Sequence, residues 1–195
     1  MQIGPLPVAC QLNANSFIRM QSTTVLSDEK IVKMIHEAVE QFFETMMGQA
    51  IKFRESRIVD PEGDPAINDT LGNNSSKVVA AVGFSGKANG VAYMYYTEKL
   101  SRNITCDFLG MTEDEVEESH ELVNDALGEV ANMTIGAFKN KICDMGYECR
   151  LTIPSIVRGS EFCIEASQDV ERRFLIFDTM NQTFLIDLIL KQPEE

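Results

Sequence analysis

The sequence predicts an α+β protein: a mainly antiparallel sheet with two long helices packed on one face, arranged with pseudo-symmetry. Three observations predict it. Two long segments, opening at Ser27 and Thr112, space their apolar residues at helical intervals. Most of the rest consists of short β-branched and aromatic runs punctuated by Gly, Pro, Asn and Asp. Finally, the two helical segments resemble each other and are followed by similar strands. The element order α, β, loop, ββ, α, α, ββββ groups strands with strands, which is the α+β pattern.

Taken in order, "MQIGPLPVACQLNANSFIRMQSTT" reads as an arm, covering residues 1–26, ahead of one domain over 27–191. It has neither a basic leader nor a continuous apolar stretch, so it does not read as a secretory signal. "SDEKIVKMIHEAVEQFFETMMGQAIKF" offers Ser27 as N-cap and Asp28 and Glu29 in the first turn, with Ile31, Ile35, Val39, Phe42 and Met46 on one face. "FRESRIVD" is a strand, and residues 61–77 carry the composition of a loop. "VVAAVGFSG", "KAN" and "GVAYMYYTE" form a hairpin with Gly86 and Gly90 near its turn.

"TEKLSRNITCDFLGM" is a short helix ending near Gly110. Thr112 with Glu115 makes a capping box for one long helix reaching about Met145, where Gly146 stops it. The strands "RLTIPSIVRG", "EFCIEAS" and "RRFLIFDTM" follow, the last joined through "NQ" to "TFLIDLILK". Aligning Gly136 with Gly48, a shift of 88 residues, lays Val123, Leu127 and Val130 on Ile35, Val39 and Phe42. "SRIVD" and "PSIVRG" then follow their helices alike, as an α-β-β unit used twice would explain.

Composition narrows the function. With 44% hydrophobic and 24% charged residues, the 195-residue chain is an ordinary packed globule. A net charge of −13 disfavours nucleic acids and anionic membranes, whose binding draws on Lys and Arg. No apolar run approaches the roughly 18 to 20 residues of a membrane span. Five cysteines without a C-x-x-C pair fit reduced thiols in a cytoplasmic protein. With two histidines in no motif spacing, a metal site built by the chain is not expected.

One stretch breaks local rules. On a helical wheel, Val116, Val123, Leu127, Val130, Thr134, Ala137 and Phe138 form the core stripe. Asp125, Glu129, Asn132 and Gly136 fall within roughly 60° of one another on the opposite side. Asp125 and Glu129 set like charges one turn apart, and Gly128 and Gly136 each cost up to about 1 kcal/mol relative to alanine. Nothing in packing asks for these choices on an exposed face, and such violations point to a site. Gly136 strips the column of a side chain, which lets another protein's surface come close.

The chemistry open to that column is narrow. A carboxamide has no useful pKa, but it can hold water through a donor and an acceptor. Positioned water is what phosphoryl hydrolysis needs. A bare phosphate would be repelled by Glu129, which makes better sense paired with a lysine on a protein substrate while Asn132 reaches the phosphoryl group. Any Mg²⁺ would then belong to that substrate.

At these residues the chain resembles the CheC/CheX/FliY family of chemotaxis phosphatases, most closely CheX. The family pattern is an Asp or Ser, three residues, Glu, two residues and Asn, with a proline a little over twenty residues on. Here it runs Asp125, Glu129 and Asn132 in "DALGEVAN", then Pro154 in "TIPSIVRG". The resemblance extends from about Ser27 to Leu190 through "VGFSG", the long helix and the closing strands.

The resemblance implies a pseudo-symmetric CheC/CheX-like fold and hydrolysis of the phospho-aspartate of a CheY-like response regulator. Glu129 would bridge to the receiver's active-site lysine, Asn132 would orient the attacking water, and Asp125 would shape the docking surface. It further implies Mg²⁺ in the partner, no cofactor of the chain's own and a homodimer joined edge to edge. At the shift of 88, the first helix carries Glu37, Gln41 and Glu44, so its copy of the motif is lost. The competing reading is a CheX-like docking module that binds a receiver or flagellar switch component without hydrolysis. A cysteine-nucleophile phosphatase would need a phosphate-cradling loop after a cysteine, and none of the five has one.

Overall fold

A computed structural model describes residues 26–59, 66–72, 75–117, 119–160, 162, 164, 166 and 169–191. The arm over residues 1–25 lies outside that set. Leu26, assigned to the arm by sequence, is buried in the main core.

Helix α1, Asp28–Met47, buries Ile31, Ile35, Val39 and Phe42 as its spacing predicts, with Met34, Ala38 and Phe43 widening the stripe. Met46 departs from the pattern at 45% exposed. Gly48 ends the helix at φ 63°, its N–H closing on the Glu44 carbonyl; alanine there would be strained. A short helix α2, Ala66–Leu71, occupies part of the expected loop because Ile67 and Leu71 have an apolar cluster to cover. Helix α3, Glu98–Leu109, starts at Thr97, whose hydroxyl accepts from the Leu100 N–H at 3.1 Å, and ends at Gly110.

The single long helix expected from Thr112 is two. Thr112 donates both its N–H and its hydroxyl to Glu115 at 2.8 Å, but that pairing opens only α4, Glu113–Glu117. Five acidic residues crowd 113–118, where like charges oppose a continuous helix. Ser119 then starts α5, His120–Asp144, by accepting from the Leu122 N–H at 3.2 Å.

The strands are β1 Lys52–Val59, β2 Lys77–Gly86, β3 Asn89–Thr97, β4 Cys149–Leu151, β5 Ser155–Gly159, β6 Val170–Thr179 and β7 Gln182–Lys191. They form one sheet in the order β1-β6-β7-β3-β2-β4, with β5 also on β2, and every pairing is antiparallel. "RLTIPSIVRG" divides into β4 and β5 because Pro154, between them, has no N–H to give a ladder. Within "EFCIEAS", the described residues Phe162, Ile164 and Ala166 belong to no strand. The turn between β6 and β7 is Met180-Asn181, one residue before the expected "NQ", with both residues at positive φ as a tight hairpin requires.

The repeat is visible in the topology: three strands follow α1, and four follow α5, of which β4 and β5 share one edge of β2. β1 pairs with β6 and β5 with β2, while β3 and β7 meet in the middle, so each half lends its first strand to the other. The helices, however, correspond at a shift of 92 residues, one turn from the expected 88. That shift carries cap Ser27 to cap Ser119 and lays all the buried residues of α1, Ile31, Met34, Ile35, Ala38, Val39, Phe42 and Phe43, on buried residues of α5. The counterparts of Asp125, Glu129 and Asn132 are therefore Lys33, Glu37 and Glu40. An asparagine is still missing.

α1 and α5 lie side by side on one face of the sheet, tied by Lys141 Nζ to Glu37 at 2.6 Å. Beneath them Phe43, Phe184 and Phe177 stack at centroid distances of 5.5 and 5.1 Å. On the opposite face, Arg172 and Asp187 form a fully buried bidentate pair at 2.7 and 3.0 Å, and Arg172 Nη1 holds the Ile164 carbonyl at 2.6 Å. That tether, with the buried Lys77 ammonium donating to the Ser160 carbonyl, fixes the chain after β5 across the sheet.

Candidate functional site

α5 carries the rule-breaking residues, and its surroundings explain half of them. Val123, Leu127, Val130, Thr134 and Phe138 are buried as predicted, Ala137 is half-buried, and Val116 is buried on α4 instead. Ala126, Ala131, Ile135 and Ile142 add to the buried set, so the helix is more enclosed than a one-face stripe implies. Asp125 and Glu129 are exposed. Asn132 and Gly136 are half-buried, so the column is solvent-facing only in its first turn and a half.

The segment between β4 and β5 covers the rest. Gly128, Asn132 and Gly136 follow one another at i, i+4 and i+8 along a single strip of α5. A Cβ on Gly136 would lie 3.6 Å from Leu151 Cδ1, and one on Gly128 3.8 Å from Pro154 Cβ. Residues 151–154 therefore run along the strip, and the stretch between passes beside Asn132. Gly136 thus faces Leu151 of its own chain, where sequence alone suggested another protein's surface. Thr152 anchors the linker to β2 twice: its N–H donates to the Gly83 carbonyl at 2.8 Å, and its hydroxyl accepts from the Gly83 N–H at 2.9 Å.

A second set of contacts sets how α5 sits on β5. Arg158 donates from Nη1 to both Glu98 oxygens at 2.8 and 2.7 Å, and from Nε and Nη2 to Asn124 Oδ1 at 3.1 and 2.9 Å. Asn124 immediately precedes Asp125, so the guanidinium locks the start of the column to β5 and α3. Burial works to raise the Glu98 carboxyl, but the hydrogen bond and charge of Arg158 outweigh it and hold it below the ordinary carboxylate range. Sequence reasoning missed this network. Its only trace was an arginine inside a strand otherwise read for its apolar residues.

What remains is an open shelf with polar groups unspent. Within the described residues, no side-chain hydrogen bond or ion pair engages Asp125, Glu129 or Asn132. A groove of about 440 Å³ lies on the sheet face away from α1 and α5, lined by Val79, Val91, Tyr93 and Phe162 with Thr152 and Ile153 of the linker. The shelf suits a macromolecule, with a carboxylate to bridge a cation and a carboxamide to hold water.

Other chemistries fit less well. Cys106, Cys143 and Cys149 are free thiols. Burial, followed by Cys143, pushes the Cys149 thiol up to about 11, and burial also raises Cys106, which suits neither for nucleophilic attack. Cys10 and Cys163 lie outside the described residues. No three His, Cys, Asp or Glu among the described residues could hold a metal ion, and no described helix is long and apolar enough to cross a membrane.

Residues 78–178 match the family model described as "Chemotaxis phosphatase CheX". Among solved structures, the chain is similar to a chemotaxis protein CheX from Desulfovibrio desulfuricans, at 23% identity and a TM-score of 0.66, covering 83% of this chain and 99% of that one. CheX from Vibrio vulnificus matches at 20% identity and 0.66, covering 83% and 99%. The CheX-CheY-BeF3-Mg²⁺ complex from Borrelia burgdorferi matches at 14% identity and 0.62, covering 83% and 98%. No curated protein matches.

Proposed function

The chain belongs to the CheX family of chemotaxis phosphatases, and from that premise we propose that it hydrolyses the phospho-aspartate of a CheY-like response regulator in the cytoplasm, using Glu129 and Asn132. The observation that carries this reading is the contrast between the two side chains. Glu129 stands exposed, free to reach a lysine on a docked receiver. Asn132 is half-buried on the strip between Gly128 and Gly136, and its amide makes no side-chain hydrogen bond among the described residues, which leaves both its donor and its acceptor for a water.

The proposed reaction follows from that contrast. Glu129 pairs with the receiver lysine and sets the register of docking. Asn132 then enters beside the acyl phosphate, accepts a hydrogen bond from a water through Oδ1 and holds it in line with the phosphorus. Attack breaks the bond between phosphorus and the aspartyl oxygen, releasing inorganic phosphate and restoring the carboxylate. Charge on the transferring group is neutralised by Mg²⁺ in the receiver. Asp125, exposed one turn before Glu129, borders the contact, and the Arg158 network keeps α5 from rolling. The CheX-CheY complex supports the partner. Both sheet edges, β1 and β5, suit the edge-to-edge homodimer that belongs to this reading.

The test is the decay of phospho-aspartate on CheY-like receivers of the same organism. Wild type should accelerate decay, and Asn132→Ala should lose about 10²-fold of that acceleration, the scale of a misplaced reacting group, while still binding. If wild type accelerates decay on no receiver that it binds, the docking-module reading replaces this one.

A further inference from the structure

The sulfur atoms of Cys143 and Cys149 lie 3.9 Å apart. The elements that carry them are fixed separately. Cys143 stands in the last turn of α5, its carbonyl accepting from the Gly146 N–H at 2.9 Å while the Tyr147 N–H returns to the Ile142 carbonyl at 3.2 Å. Cys149 opens β4 opposite Gly86, so closely that a Cβ on that glycine would lie 2.7 Å from the Cys149 Cα. A disulfide sets its sulfurs about 2 Å apart, and a rotamer change at one cysteine moves its sulfur far enough to close the gap. Exposure separates the pair. Cys143 is half-buried and Cys149 buried, so an oxidant in solution meets Cys143 first and finds Cys149 behind it. A reachable thiol backed by a second thiol is the arrangement in which oxidation ends in a disulfide instead of a higher acid.

We propose that Cys143 and Cys149 form a reversible oxidation site, closed to an intrachain disulfide by hydrogen peroxide. The site is independent of the proposed hydrolysis. In the first step the Cys143 thiolate attacks one peroxide oxygen, the O–O bond breaks, and the sulfur is left as a sulfenic acid. The hydroxide released takes up the proton that Cys143 gave. In the second step the Cys149 sulfur attacks the Cys143 sulfur, the S–O bond breaks, and the hydroxyl leaves with the Cys149 proton as water. The two thiols lose two electrons and two protons, and one peroxide becomes two waters. Burial and then Cys143 push the Cys149 thiol up to about 11, against the pull of Lys139, which makes it a poor nucleophile toward anything that must diffuse in. Its target here is held beside it, and proximity offsets the low thiolate fraction. The bond ties the end of α5 to β4 across the turn at 144–148, and a thiol reductant reopens it.

The deciding experiment treats the folded full chain with dilute hydrogen peroxide, blocks the remaining thiols with iodoacetamide in denaturant and maps the tryptic peptides by mass spectrometry. Cleavage after Lys141 and Arg150 releases residues 142–150 as one peptide that holds both cysteines and no other. From wild type this peptide should appear unalkylated and two hydrogens lighter than its dithiol form, and dithiothreitol added before alkylation should restore the dithiol. With dimedone present, Cys149→Ser should trap a sulfenic acid on Cys143, while Cys149 in Cys143→Ser should be labelled about tenfold less or lower, as a buried thiol. The wild-type peptide needs no variant to fold, so it decides the matter alone. Its recovery with both cysteines alkylated overturns the site, as does either cysteine joined to Cys10, Cys163 or a second copy of the chain. Equal dimedone labelling of the two variants overturns Cys143 as the thiol that reacts first.

Discussion

Asn132 and Arg158 show how a half-buried residue is placed by bonds made elsewhere on its helix. Asn132 lies on a strip between two glycines that a proline-bearing linker approaches, and the helix that carries it is clamped eight residues earlier, at Asn124, by a guanidinium shared with Glu98. The clamp is a titratable device. Because the folded Glu98 carboxyl titrates below its unfolded counterpart, its contribution to stability is complete above the ordinary carboxylate range and is lost as pH falls through the depressed folded value. Glu98→Gln should therefore flatten part of the acid limb of a stability curve below about pH 5, measured by urea denaturation at stepped pH. An unchanged limb would show that Glu98 does not contribute to it. The column was legible in sequence because its residues are close along one helix and each violates a local preference. Arg158, Asn124 and Glu98 were not, since they come from three separate elements and none is unusual where it stands.

Among the elements, α5 and the β2–β3 hairpin use glycine for opposite reasons. At Gly86 a Cβ would sit 2.3 Å from the Glu148 carbonyl oxygen and 2.7 Å from Cys149 Cα, so β4 can pair with β2 only if that position has no side chain. Gly86→Ala should cost about 1–3 kcal/mol or more through backbone displacement. On α5 the nearest atoms lie at ordinary contact distance, so Gly136→Ala should stabilise the fold by up to about 1 kcal/mol on helix propensity. Chemical denaturation of both variants checks the pair, and a destabilised Gly136→Ala would mean that the linker is packed more tightly than its geometry implies. Elements with strong periodicity, such as α1, α3 and the hairpin, were readable from sequence, although Ser27 at the start of α1 makes no side-chain capping bond. The break between α4 and α5 was not, because a helical period runs through it and only repulsion among acidic side chains interrupts it. Nor was the fate of "EFCIEAS", where the distant Arg172 holds the Ile164 carbonyl in place of a strand partner.

For the whole molecule, the exchange of first strands makes the two halves inseparable. The first half leaves β2 without β5, the second leaves β6 without β1, and the β3–β7 contact at the centre is lost to both. Chains cut between Gly110 and Met111 should each be unstructured alone and regain sheet content when mixed, followed by circular dichroism. A half that folds unaided would contradict that dependence. Internal resemblance was visible in sequence, but its register was off by one turn because amphipathic helices match at any shift that preserves their period; burial at each position and the helix starts at Ser27 and Ser119 separate 88 from 92. The corrected register gives the bond between Glu37 and Lys141 a further meaning. Glu37 stands on α1 where Glu129 stands on α5, and its carboxylate is already taken by a lysine of its own chain. A second copy of the proposed site on α1 would need at least an amide in place of Glu40 and the release of Lys141, so the proposed function carries with it one docking surface per chain.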